Sequence, residues 1–249
     1  MNQETGNNRQ LITENRELSQ QSNVPGLWND EVIAAWIERA PAASSIDQWI
    51  YWNSSPLRHA SHEVLATFFP ASFKAILIRD SLVTTHVDSL LRSRLSWNAT
   101  VNWAPQDPLW EVSMISPDRF QRLVLLSASF SMKSEISRII DGSMVRKLRA
   151  QLGEDIFQFV LLSNASLKYF LEPLHDALSA FSDITEAIYQ GSVMIVQQAF
   201  SSKERGVQER IATKFSGCFA QGYYETPLPW NARAEEILSG LWKEAGSWM

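Results

Sequence analysis

Along most of this chain the apolar residues recur at three- and four-residue intervals, and the recurrence is cut repeatedly by Ser-Pro, Gly or Pro. Spacing of that period lays one apolar stripe along a helix, whereas a half-buried strand requires strict alternation. The first such window follows Pro25: Asn29 stands as a cap before Val32, Ile33, Trp36 and Ile37, and Pro41 ends the run. Ser44 or Ser45 opens a second window with Ile46, Trp49 and Ile50. Ser55-Pro56 reads as the cap and first residue of a third, with Leu57, Val64, Leu65 and Phe68 on its buried side.

The same reading continues to the other end. Residues 73–95 are helical, with an interruption near Asp80-Ser81. Ser116-Pro117 opens a helix carrying Phe120, Leu123, Val124 and Ser127 on one face, closed by Gly142. Asp141 or Ser143 caps the next, in which Val145, Leu148 and Leu152 form a structural stripe. Gly153 ends that helix, and Glu154-Asp155 place acids in the following first turn, where the macrodipole favours them. Four further windows cover 166–181, 184–200, 203–219 and 232–245, with Pro227, Pro229 and Trp230 as a rigid loop before the last. No strand pattern and no repeat of 20–50 residues stands out. The expected fold is therefore all-α, an irregular multi-helix single domain over 25–249, preceded by a polar tail over 1–24 too poor in apolar residues to fold on its own.

Composition bounds the function. At 249 residues, 45% hydrophobic and 20% charged, the chain is neither fibrous nor wholly disordered. Twenty-two basic against 27 acidic residues give a net charge of −5, which disfavours a diffuse grip on nucleic acid. The single cysteine, Cys218, excludes an intrachain disulfide framework and fits a reducing compartment. With no run of about 18 apolar residues and no export-signal pattern, the expectation is a cytoplasmic protein.

Few residues invite chemistry. His59 and His62 lie at i, i+3, which would set both imidazoles on one helix face. Glu63 follows the second histidine, however, and zinc-peptidase patterns need the glutamate elsewhere, so the pair reads as surface or boundary histidines. Cys218 sits in no catalytic signature. Glycine-rich phosphate loops and nucleophile elbows are missing from the sequence, and no cofactor or metal is expected. Arg138, Arg146, Lys147 and Arg149 form the one concentration of positive charge, read as a solvated helix face. Ten tryptophans are many for this length. Trp97, Trp103 and Trp110 fall in the proline-rich connection 96–117, where aromatic anchors lose little entropy on docking and suit a protein interface; the competing reading is that they fold back onto the helices and complete the core.

One stretch carries a family likeness. An apolar helix over Arg122–Phe130 is followed by Val145-Arg-Lys-Leu-Arg-Ala-Gln-Leu-Gly-Glu-Asp155 and then Phe157-Gln-Phe-Val-Leu161. This succession resembles the SctK family of bacterial type III secretion systems. The resemblance implies a non-enzymatic adaptor at the cytosolic face of the inner membrane, within the injectisome sorting platform. Its implied partners are the SctD-like cytosolic domain of the inner-membrane ring and the SctQ-like pod protein, through which it would connect to the ATPase complex. The readings kept beside it are a helical secretion chaperone or regulator, and a helical enzyme using His59, His62 or Cys218.

Overall fold

A computed structural model describes residues 52–53, 55–69, 81–95, 107–163, 168–215 and 228–249. The tail 1–24, the helices expected from Asn29 and Ser44/Ser45, Trp97, Trp103 and Cys218 lie outside them. Within them the chain is all-α: α1 Pro56–His59, α2 His62–Ala66, α3 Ser81–Arg94, α4 Trp110–Met114, α5 Pro117–Ser131, α6 Lys133–Arg138, α7 Gly142–Leu152, α8 Glu154–Leu162, α9 Glu172–Leu178, α10 Ile184–Phe200, α11 Arg205–Ala212 and α12 Ala232–Ala245.

Short polar side chains set many of the starts. Asp141 accepts from the Ser143 N–H at 2.9 Å, Asp183 from Thr185 N–H at 2.9 Å, and Asn231 from Arg233 N–H at 2.9 Å. Each satisfies one of the amide donors that a helix N-terminus leaves over. Pro117 follows the Ser116 cap, as the sequence predicts.

Several boundaries differ from expectation. The helix opened at Ser116-Pro117 stops at Ser131, and Gly142 begins α7 instead of closing α5. Met132 leaves helical geometry at φ −107° and ψ 14°, while buried Met132 and Ile136 hold the redirected chain to the core. Among the described residues of the window 166–181 only α9 is helical: Leu171 before it is extended at φ −123° and ψ 100°, and Pro173 stands in its first turn. The helix opened at Ser55-Pro56 breaks at Ala60, which is extended at ψ 143°, and restarts under a Ser61 cap. That break resets the register. Leu65 is buried, Leu57 and Val64 are half-buried, and Phe68 turns out to 37% exposure. The end of the 96–117 connection is helical, as α4.

α10 occupies the centre. It packs against α5 and α12, with α9 and α7 also in contact, while α7 and α8 pair and reach α5. At Gly191 an added Cβ would lie 2.7 Å from Leu178 Cδ1 and 3.2 Å from Ala128 Cβ, so α9 and α5 close on α10 where it has no side chain. Buried hydroxyls fold back on their own helices: Ser127 donates to Leu123 O at 2.8 Å and Ser192 to Ile188 O at 2.8 Å. In α7, Leu148 and Leu152 are buried and Val145 is half-buried against the same core.

Two substitutions probe this packing. Leu148→Ala should cost about 2–5 kcal/mol, read from the shift of a denaturant midpoint at constant slope. Gly153 joins α7 to α8 at φ 84° and ψ 150°, a region essentially reserved for glycine, and an added Cβ would meet Asp155 Oδ1 at 2.9 Å. Gly153→Ala should therefore cost about 1–3 kcal/mol.

Candidate functional site: a buried polar seam

The described residues among those singled out in the sequence do not gather at one place. Trp110 is 4% exposed and belongs to the large core, so a role as partner anchor is corrected to packing. Tertiary contact brings it inside because α4 lays its first residue under α12, with which α4 is in contact. His59 and His62 do not share a helix face. The break at Ala60-Ser61 puts His59 at the end of α1, buried and edge-on to Trp52 at 5.2 Å, and His62 at the exposed start of α2. Among the described residues no group of His, Cys, Asp or Glu is placed to hold a metal ion.

The basic cluster is exposed, and half of it is paired. Lys147 meets Asp183 at 2.6 Å, and Arg149 meets Glu154 at 3.4 Å. The Lys147 hydrogen bond, with those from Thr185, holds the Asp183 carboxyl far below the ordinary carboxylate range.

The unusual chemistry lies where α1, α2 and α3 meet the bundle. Those helices share a small apolar cluster of Ala60, Leu65, Val87 and Leu91, separate from the large core. Asp88 of α3 is buried and organises the start of α1. Its Oδ2 accepts from the Ser55 hydroxyl at 2.6 Å and its Oδ1 from the Leu57 N–H at 3.0 Å. The Ser55 side chain thus makes no cap of its own, and the cap comes from α3. One turn beyond Asp88, Arg92 is also buried, and desolvation lowers its guanidinium pKa, partly offset by Asp88.

The bundle side answers with two more buried cations. Arg210 of α11, 1% exposed, donates to Gly206 O at 3.0 Å and to Asn53 Oδ1 at 3.4 Å. Burial pushes it down to about 10, Glu204 and Glu209 oppose that, and Arg92 adds to it, so the cations of α3 and α11 sense each other. Lys214, fully buried just after α11, donates to Ile115 O. Its ammonium lies 5.6 Å from the Trp52 ring centre and 5.8 Å from that of Phe120. No described carboxylate pairs with it, and desolvation alone lowers it to about 7. On either side, Ser61 closes the seam: its N–H donates to Thr213 O at 2.7 Å and its hydroxyl to Phe215 O at 2.7 Å.

Sequence reasoning passed over Asp88, Arg92, Arg210 and Lys214, although a signal exists. Arg210 and Lys214 fall three and seven residues after Val207, interleaved with Ile211 and Phe215, and Asp88 and Arg92 interleave with Val87, Leu91 and Leu95. Charges set on the apolar stripe of a helix are buried if the stripe is. The arrangement holds two helical layers in register.

Asp88→Ala would strip α1 of its cap and leave buried Arg92 without its carboxylate. The expected loss is about 3–5 kcal/mol, measured by equilibrium denaturation. Asp88→Asn, which retains one acceptor for Leu57, should lose less. Comparison of the chain with protein-family models, with curated proteins and with solved structures finds no match.

Proposed function

We propose that this chain is a helical adaptor of a bacterial type III secretion sorting platform, linking the cytosolic domain of the inner-membrane ring to SctQ-type pods and the ATPase complex. The observation that carries the reading is the division of labour within the SctK-like stretch, which spans α5 to α8. Leu148 and Leu152 are buried, and Gly153 supplies the positive φ of the junction. Arg149 pairs with Glu154 and lies 5.2 Å from the Phe157 ring centre, while Asp155 pairs with Arg122 across to α5. Each residue type in the resembling pattern has a distinct task in that helix-turn-helix unit.

Exposed apolar side chains on the helical scaffold support a docking role. Leu162 is 78% exposed one turn beyond Phe159, whose ring contacts the partly exposed Trp248 at 5.2 Å. Exposed apolar side chains of this kind are candidate anchors for a protein partner. Trp97 and Trp103 are proposed as further anchors on sequence grounds alone. Among the described residues no helix is long and apolar enough to cross a membrane, and attachment to the inner-membrane face is proposed to run through protein contacts.

The test is recovery of partners by the tagged full chain from cells with an assembled secretion apparatus. Both the ring protein and the SctQ-type protein should be retained, and Leu162→Asp should reduce retention at least fivefold with an unchanged melting temperature. Recovery of neither protein sinks the adaptor reading, and recovery of secreted substrates instead would favour a chaperone.

A further inference from the structure

The seam joins two layers that each possess their own apolar cluster, and buried polar groups lie along the contact between them beside Trp52 of the large core. Across it run the two Ser61 bonds, the Asn53–Arg210 bond and the packing of Trp52 beside Lys214. An assembly divided in this way can open locally without loss of the whole core. α1 and α2, of 4 and 5 residues, are too short to persist once lifted from their support.

We propose that docking of the α1–α3 layer onto the bundle is gated by a proton on Lys214: the seam closes on the neutral amine and loosens when the ammonium forms. The geometry sets the cost. In the closed seam the nitrogen has one carbonyl acceptor and two ring faces, with no described carboxylate paired to it, so a charge there is poorly compensated. When the layer lifts, water reaches the amine and supplies what the seam withholds.

The groups around Lys214 leave the proton to it. On its own segment, Arg210 is committed to Gly206 and Asn53, and Glu209 pairs with Arg205 at 2.8 Å. From α3 come Asp88, bound to Ser55 and Leu57, and Arg92. From α5, Arg119 turns to Gly246 O and Trp242, and Arg122 to Asp155. Glu111 of α4 and Asp118 of α5 are exposed, and Glu204, before α11, is exposed as well. His59 of α1 lies edge-on to Trp52.

The sign follows from proton counting. Closed, Lys214 titrates at about 7. Open, it returns to the ordinary lysine value of about 10.4. Between these limits the open form binds one more proton, so the opening constant falls about tenfold for each unit of rising pH. Below about 7 both forms are protonated, and Lys214 adds no further dependence.

Pulse-labelling hydrogen exchange of the full chain between about pH 7 and pH 9, corrected for intrinsic rates, reads this directly. The opening constant of 56–66 should fall about tenfold per unit, while 184–200 does not follow. In Lys214→Met the dependence should vanish and the seam should stay closed. An unchanged pH dependence in Lys214→Met, or equal behaviour of 56–66 and 184–200 in the wild type, overturns the proposal. Should Lys214→Met fail to fold, Lys214→Gln, which keeps a donor for Ile115 O, serves in its place. In the unaltered protein, a Lys214 Cε resonance titrating at the ordinary lysine value overturns the gate by itself.

Discussion

The approach of α5 and α9 to α10 at Gly191 is the constraint on which the rest of the structure depends. A helix with an apolar face on nearly every side can be accommodated only in the middle of an assembly, and α10 buries residues from Thr185 to Phe200 around much of its circumference. Leu178 fills the space that a side chain at 191 would take. Once α10 is central, α5 and α12 must flank it, and the α7–α8 pair must cover what remains of α5. Ser127 and Ser192 can lie within this core because their hydroxyls are spent on carbonyls of their own helices.

The seam under α1–α3 follows a different principle. Burial of an apolar face needs only area, whereas burial of Asp88, Arg92, Arg210 and Lys214 needs a specific partner for each polar atom. Such groups contribute less net stability than apolar residues of equal size would. They do fix which surfaces meet: Ser61 can satisfy Thr213 and Phe215 in one register only, and Asp88 can cap α1 only when α3 lies alongside it. The contact is therefore specific, which is the property the proposed proton gate acts on.

These two regions bear differently on the adaptor reading. The stretch on which the proposal rests lies in the bundle, where it sets the path of α5 to α8, and its pattern is a folding pattern. Leu162, at the end of α8, and Trp248, just after α12, are exposed. A partner seated there meets a preformed surface, which limits the entropy lost on docking. The α1–α3 layer meets the bundle at α11 and the residues just after it, through Asn53, Arg210, Ser61 and Lys214.

Much of the fold was legible in the sequence, because helix periodicity and capping are local properties. The bounds 184–200 and 232–245 follow from Asp183 and Asn231 caps and from unbroken three- and four-residue spacing, and Gly153 announces its own turn. Legibility failed where a distant partner decided the outcome. Met132 ends α5 well before Gly142, the Ala60-Ser61 break separates His59 from His62, and Trp110 goes inside with α4, none of which is fixed within a few residues. The seam is the clearest case. Charged residues interleaved with an apolar stripe say only that some charge will be buried if the stripe is. Whether Lys214 loses water, and which carbonyl and rings replace it, depends on Trp52, Ile115 and Phe120 arriving from remote parts of the chain. By itself the sequence determined that the chain is helical and, where no remote contact intervened as in α10 and α12, where the helices run, since those depend on neighbours within about one turn. Only the tertiary structure decided which stripes meet and which polar groups are sealed between them, because desolvation is a property of the surroundings and not of the residue.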